Sequence, residues 1–242
     1  MKYYFISDIH GCYDKMIQAL NKAGFNEITD TIVSLGDPFD RGPQSYEILK
    51  YLMACPNRIL IWGNHDYRLR NLILGFDNID MCDYHNGVLQ TMQSLCNNKN
   101  INDISLGIYL FCKDNDLKMR DKLLWKYFNE CVWAIEFKDL IATHAWIPEK
   151  LESADTETWY KVSWSNTEEK IINKKFHPTK KILIGHWHAW RLRRLNEKKE
   201  NDINFTTYET ENYIAIDGCT NSYNGIVNVY VYETDEIPKK YN

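Results

Sequence analysis

Five short apolar runs in this chain each end in a loop that carries aspartate, histidine or asparagine. Tyr3–Ser7 leads into Asp8-Ile9-His10-Gly11, and Thr31–Leu35 into Gly36-Asp37-Pro38-Phe39-Asp40-Arg41-Gly42. Arg58–Trp62 leads into Gly63-Asn64-His65-Asp66, Leu140–Thr143 into His144, and Lys181–Ile184 into Gly185-His186-Trp187-His188. Between the first runs, Asp14–Ala23 places Met16, Ile17, Leu20 and Ala23 at helical period and stops at Gly24, and Ser45–Met53 repeats that period through Tyr46, Ile48, Leu49 and Leu52. Strand, polar loop and helix in alternation predict an α/β fold with a buried sheet. Loops at the carboxyl ends of such strands collect along one edge, where open sheets bind ligands.

The middle of the chain reads differently. From about 67 to 130 no strand is evident and several helical patterns follow one another, Met119–Phe128 among them. Strands resume at Cys131–Phe137, Leu140–Thr143 and Lys181–Ile184, and Tyr213–Ile216 with Ile226–Tyr232 reads as a hairpin around Gly218 and Gly225. With 242 residues, 44% of them hydrophobic, the expectation is one domain over 1–242 with a helical cap or insertion at about 67–130.

Composition narrows the function classes. The formal net charge of −4 supplies no global attraction to nucleic acid or membrane. No apolar stretch approaches the ~20 residues of a membrane span, and the N-terminal apolar run is too short for a signal peptide. The seven cysteines are odd in number, scattered and without a Cys-x-x-Cys pair, which predicts reduced thiols and a cytoplasmic location.

The donors gathered by the loops are carboxylates, imidazoles and an amide, a set suited to Mn²⁺, Fe²⁺ or Zn²⁺, and no thiolate joins them as in structural zinc sites. Six ligands exceed what one ion with an open position needs. They fit two divalent ions bridged by a carboxylate, ~3.5–4 Å apart, which polarise a phosphoryl oxygen and generate hydroxide near neutral pH.

In order and content these motifs resemble the calcineurin-like metallophosphoesterases, and within them the phosphoprotein phosphatase branch, which pairs Gly-Asp-x-x-Asp-Arg-Gly with Gly-Asn-His-Asp/Glu. Arg41-Gly42-Pro43 and the aspartate of Gly63-Asn64-His65-Asp66 are most similar to bacterial diadenosine tetraphosphatases and bacterial serine/threonine protein phosphatases. The resemblance implies a metallophosphoesterase-type β-sandwich flanked by helices. It also implies two divalent cations, Mn²⁺ expected and Fe or Zn the alternatives. Asp8 and His10 would bind the first ion, Asp37 would bridge, and Asn64, His144 and His186 would complete the second. His188 is a further candidate ligand, because Gly-His-x-His supplies two ligands in other metallophosphoesterases. His65 would protonate the leaving oxygen with Asp40 orienting its ring, and Arg41 would clamp the phosphoryl oxygens.

The sequence departs from the protein phosphatases where they carry further phosphate-binding arginines: Trp62 precedes the Gly-Asn-His motif, and Asn166 stands in Ser163-Trp164-Ser165-Asn166. Trp146 follows His144-Ala145 where glycine is frequent. The expected substrate is therefore a small phosphate compound, of the diadenosine tetraphosphate kind or a phosphomonoester, with a serine/threonine phosphoprotein as the alternative. The basic residues Lys180, Lys181, Arg191, Arg193, Arg194, Lys198 and Lys199 read as a solvated face; a nucleic-acid end phosphatase is the alternative they leave open. A metal-dependent binding scaffold is the non-enzymatic alternative. Trp146, Trp164, Trp187 and Trp190 read as core residues of which one or two could stack an adenine. His85 and His177 match no motif and are read as surface residues.

Overall fold

The computed structural model describes residues 1–114, 117–165, 168, 170, 177–198 and 203–242. Asn166 and Lys199 lie outside them.

Strands β1 (Lys2–Ile6), β2 (Thr31–Ser34) and β3 (Arg58–Ile61) are buried beyond their first residues, as strands covered on both faces must be. They pair in parallel in that order. The two-residue β4 (Cys131–Val132) adds beside β3, and β10 (Tyr230–Glu233) lies antiparallel on the free edge of β1. The second sheet has the order β11-β5-β6-β7-β9-β8, with β5 at Ala134–Glu136, β6 at Leu140–Thr143, β7 at Lys181–Ile184, β8 at Tyr208–Glu209, β9 at Tyr213–Ala215 and β11 at Lys239–Tyr241.

The period of two along each strand decides which side chains meet. Tyr3, Phe5, Val33, Leu35, Ile59 and Ile61 pack against Ile135, Ala142, Leu183 and Ile214 between the sheets. Their neighbours Ile6, Ile32 and Leu60 turn to the other face, against helices α1 (Tyr13–Ala23) and α2 (Ser45–Ala54). Across the second sheet, Ile182, Ile184, Tyr213 and Ala215 pack on Ala189 and Leu192 of α9 (Ala189–Glu197). The result is a β-sandwich with helices on both outer faces, the fold class expected from the sequence.

Two local readings are corrected. The run Cys131–Phe137 is two strands in different sheets: the chain crosses over at Trp133, whose N–H donates to the Tyr241 carbonyl at 2.6 Å. The C-terminal strands form no hairpin, because β9 runs parallel to β7 while β10 joins β1 in the other sheet. The segment between them closes on itself instead, held by Lys15 Nζ donating to the carbonyls of Thr220 and Gly225 at 2.7 Å each.

Between β3 and β4 lie α3 (Asn64–Leu74), α4 (Met81–Asn86), α5 (Val88–Leu95), α6 (Ile104–Lys113) and α7 (Lys118–Glu130). Asp80 caps α4 by accepting from the N–H groups of Cys82 and Asp83. Gly87 ends α4 in the left-handed region (φ 88°), and a Cβ there would lie 2.2 Å from the Arg41 nitrogen, so only glycine lets the α4–α5 turn close on that loop. All seven cysteines are free thiols. Among the described residues no helix is long and apolar enough to cross a membrane.

Candidate active site

The strand-end loops meet at one edge of the sandwich, and they reach it through strained backbone. Of the nine non-glycine residues with positive φ among those described, six are Asp8, His10, Asp37, Asp40, Arg41 and His186. Left-handed conformations cost such residues on the order of 1–3 kcal/mol each and persist only where surrounding contacts enforce them. The enforcement is visible: the N–H groups of Asp8, His10 and Gly11 donate to the carbonyls of Gly36, Asp37 and Pro38. Glycine at 63 is required for space, since a Cβ would fall 2.0 Å from Asp37 Oδ1.

Asp37 is the hub. Its Oδ2 lies 3.3 Å from His144 Nε2 and 3.9 Å from both His10 Nε2 and His65 Nε2. His10 Nε2 is 3.8 Å from Asp8 Oδ1, and His144 Nε2 is 2.8 Å from Asn64 Oδ1. Two donor clusters result, His10/Asp37/His65 and Asp37/His144/His186, each within 4.8 Å and both containing Asp37. Burial is nearly complete for Asp8, His10, Asp37, Asn64, His65 and His144.

The donor set fits divalent cations on two grounds. First, the Nδ1–H groups of His10 and His144 are directed at the carbonyls of Phe39 (2.9 Å) and Leu35 (2.7 Å), which leaves each Nε2 lone pair facing the cluster. Second, the ion pairs of Asp8 and Asp37 among the described residues are with histidines only, so buried negative charge lacks a permanent counter-charge. The titration behaviour carries the same imprint. Burial, with Asp217 and Asp37 nearby, pushes the Asp8 carboxyl up to about 7. Burial disfavours a charged His144, but Asp37 outweighs it and raises that imidazole to about 10. Burial and the neighbouring His144 push His186 down to about 3.

His65 is arranged differently. Its Nδ1 is 2.7 Å from Asp40 Oδ2, and although burial opposes its charge, Asp37 and Asp40 raise its pKa above the ordinary value. Asp40 is itself gripped by Thr91 of α5: its N–H donates to Thr91 Oγ1 and its Oδ1 accepts from the same hydroxyl, both at 2.8 Å. Asp66 Oδ2 accepts from the Gly63 N–H (2.9 Å), the Asp37 N–H (3.3 Å) and the Tyr127 hydroxyl (3.2 Å), locking the second and third loops together. Thr91 and Asp66 were not singled out from sequence for these contacts. Asp66 sits inside a motif and could have been suspected, whereas Thr91 belongs to none.

Arg41, its N–H donating to the Asn86 carbonyl at 3.1 Å, lines an open cavity of about 430 Å³ together with His85, Gln90, His188 and Cys219. His85 is exposed as read, yet it borders this cavity. His177, half-buried, accepts the Lys180 N–H on another loop. His188 directs Nδ1 at Asp217 Oδ2 (2.9 Å), and its Nε2 lies 3.6 Å from Cys219 Sγ. It belongs to neither donor cluster. Trp62 is buried against Phe128 and Trp133, and Trp146 is buried against the second sheet. Of the basic run, Lys180, Lys181 and Arg191 pair with Glu136, Glu209 and Glu168, and Arg193 donates to the carbonyls of Asn204 and Thr207.

Known proteins agree with this architecture. The symmetrical bis(5'-nucleosyl)-tetraphosphatase of Buchnera aphidicola is 38% identical over 96 residues, 39% of this chain and 35% of that protein. Its namesake from Salmonella paratyphi B is 41% identical over 76 residues, 31% of this chain and 27% of its own length. The chain thus spans about a third of the length of the curated relatives it matches. A solved structure described as a candidate diadenosine tetraphosphatase superposes with a TM-score of 0.57 at 17% identity, covering 99% of this chain and 93% of that one. The cold-active protein-tyrosine phosphatase of a Shewanella species gives 0.52 at 15% identity over 100% and 80%. At these identities the structural likeness speaks for the fold alone. The family model described as calcineurin-like phosphoesterase matches residues 1–190, which takes in both donor clusters and the His65–Asp40 pair, and this chain belongs to that family.

Proposed function

We propose that the protein is a two-metal hydrolase of phosphate esters or anhydrides whose preferred substrate is a nucleoside polyphosphate of the diadenosine tetraphosphate kind. The observation that carries this reading is the pair of donor clusters meeting at Asp37, in one of which His65 is also engaged at Nδ1 by Asp40. Asp8, His10 and Asp37 would hold one divalent cation, and Asp37, Asn64, His144 and His186 the other, Mn²⁺ in first place and Fe or Zn as alternatives. Bound there, the ions would polarise a phosphoryl oxygen and make hydroxide available near neutral pH.

The chain's own groups do the rest. Arg41, planar and always charged, binds phosphoryl oxygens at the mouth of the site. His65 delivers a proton from Nε2 to the leaving oxygen while Asp40 fixes the ring through Nδ1. The Leu35 carbonyl, accepting from Nδ1–H, keeps His144 Nε2 turned inward, where it lies 2.8 Å from Asn64 Oδ1 at the start of α3. His188, engaged by Asp217 and Cys219, is left out of the ligand set and orders the Asp217–Cys219 loop instead.

The nucleotide preference rests on the names of the relatives over their shared segment and on Trp62 being committed to the core where protein phosphatases carry an arginine. The engagement of Lys180, Lys181, Arg191 and Arg193 by carboxylates and carbonyls argues against a nucleic-acid strand as substrate. We take residues 1–242 as one domain, with 67–130 as a cap over the site, and free thiols as fitting a reducing cytoplasm.

The test is to load the protein with Mn²⁺ and offer diadenosine tetraphosphate, a small aryl phosphate and a phosphoserine/phosphothreonine peptide, with a chelated control and products resolved by anion exchange. Chelator-sensitive formation of ADP, or of ATP with AMP, is the expected result, and the product pair shows which bond is cut. Preference for the peptide would overturn the substrate, and no cleavage of any of the three by protein holding two metals would overturn the hydrolase reading.

A further inference from the structure

Trp164 is the tryptophan that the motif loops leave in the open. It is 44% exposed, whereas Trp146 is 4% exposed and packed inside. Its ring lies 6.4 Å from that of His65 at an interplanar angle of 25°, so it flanks the side from which the leaving oxygen takes its proton. A pile of rings backs it: Trp164 meets Tyr160 edge-on at 6.3 Å, Tyr160 meets Tyr67 at 4.7 Å, and Tyr67 meets Trp62 and Trp133 in the core. A shelf supported in this way loses little freedom when a flat ring settles on it.

The cavity in front of the shelf is of about 220 Å³ and is lined by Trp164, Tyr160, Asn86, Arg68, Asp80, Asp83 and Cys82. Its charge selects against phosphate. The one cation among the described residues that line it, Arg68, is spent on Asp77 (3.0 Å), Asp83 (2.9 Å) and Asp80 (3.7 Å), so that lining is acidic on balance. The Asn86 amide supplies both a donor and an acceptor to the same space. A neutral aromatic heterocycle with polar edges suits such a cavity; an anion does not.

We infer that Trp164, with Tyr160 packed edge-on against it and Asn86 lining the same cavity, forms a subsite for the purine base on the leaving side of the substrate, the phosphates remaining with Arg41 and the strand-end loops. This deepens the nucleoside polyphosphate reading and rests on it for its place in catalysis, but base binding by itself is testable without turnover. Base–aromatic stacking is strong enough for one ring to shift affinity roughly tenfold to a hundredfold.

The probe is adenosine, which has no phosphate, added to the full chain without metal and followed by saturation transfer from protein to the adenine ring protons. Transfer is expected in the parent protein and in Trp164→Phe, and its loss is expected in Trp164→Ala. In Mn²⁺-loaded protein, the ratio of kcat/KM for diadenosine tetraphosphate to that for inorganic tripolyphosphate, which lacks a base, should fall roughly tenfold to a hundredfold in Trp164→Ala. Asn86→Ala, in the lining of the same cavity, should lower the same ratio by less. Equal adenosine transfer in parent and Trp164→Ala, or an equal loss on both phosphate compounds, overturns the subsite. If neither compound is cleaved the hydrolase reading fails, and the adenosine measurement still decides whether Trp164 binds a base.

Discussion

Replacing Thr91 by valine should slow hydrolysis from a position that contacts none of the proposed metal ligands. Thr91 is fully buried, and its Oγ1 makes two of the hydrogen bonds that hold Asp40, at 2.8 Å from the Asp40 nitrogen and 2.8 Å from Oδ1, with Ser45 Oγ a further 3.2 Å contact. Asp40 in turn stands 2.7 Å from His65 Nδ1 and occupies a strained φ of 68°. Valine fills nearly the same volume but leaves the Asp40 N–H and one carboxylate oxygen buried without their partner. Each such group costs about 1–3 kcal/mol. For a chain of 242 residues, that total lowers the melting temperature by on the order of 10 °C. An Asp40 free to rotate no longer fixes the imidazole, and a loss of ~1.4 kcal/mol in the transition state is a tenfold fall in kcat. The assay is steady-state hydrolysis of a small phosphate ester by Mn²⁺-loaded protein, with metal content by elemental analysis and Tm by calorimetry. Thr91→Val should lose about tenfold or more in kcat at parental metal content, and Thr91→Ser should recover most of it. A Thr91→Val protein with parental kcat and Tm would refute the chain of reasoning from Thr91 to His65.

His65→Ala should lower turnover by at least ~10²-fold while both metals remain by elemental analysis; unchanged turnover removes His65 from proton transfer. Asp37→Asn should reduce metal content below that of the parent protein, because the shared carboxylate is lost, and full occupancy would contradict a bridging role. The chelated protein should lose stability as pH rises above about 6.5. His144 and His188, both raised to about 10 against burial, the one by Asp37 and the other by Asp217, hold protons in the folded state that the unfolded chain releases near 6.5. Asp8 and Asp66, which burial raises to about 7, act in the same direction from about 4 upward. His10 and His186, depressed mainly by burial, oppose them below 6.5. Melting curves with chelator should therefore fall between about pH 6.5 and 10, and saturating Mn²⁺ should flatten that fall by taking up His144 as a neutral ligand. A chelated protein whose Tm rises over that interval would sink this account.

What could be read from the sequence was set by local chemistry, and what could not was set by contacts across the chain. The strand-end loops were legible because each motif carries its own reason: an apolar run, a glycine, then a side chain with a lone pair. Asp8, His10, Asp37, Asn64, His144 and His186 consequently fall at one sheet edge. The crossing at Trp133 was not legible, because Cys131–Phe137 is uniformly strand-like. What splits it is the Tyr241 carbonyl and the Thr143 hydroxyl on the Trp133 carbonyl. The hairpin reading failed for a related reason. Gly218 and Gly225 look like turn glycines, but a Cβ at Gly218 would lie 2.2 Å from the Ile226 carbonyl oxygen and one at Gly225 1.8 Å from that of Cys219. They let one loop fold on itself, and the strands on either side depart to different sheets.

Thr91 marks the deeper limit. On a helix at the edge of an apolar face, a threonine is indistinguishable by pattern from any other, and nothing in α5 announces a catalytic neighbour. Its role exists only because the α4–α5 turn closes on the Arg41 backbone at Gly87, which brings α5 over the second loop. Beyond Asn64 and His65 at the start of α3, the helices between β3 and β4 thus contribute to the site without supplying a proposed ligand. They hold Asp40 from behind, carry Arg41 on the Asn86 carbonyl, and line the cavity in front of Trp164 through Asn86 and Asp83. On the proposed function the strand-end loops carry the chemistry, and this helical segment is where a substrate would be told apart. Exchanges at its cavity-facing residues, unlike those at Thr91 or His65, should change which phosphate compound is accepted well before they change whether phosphate is hydrolysed at all.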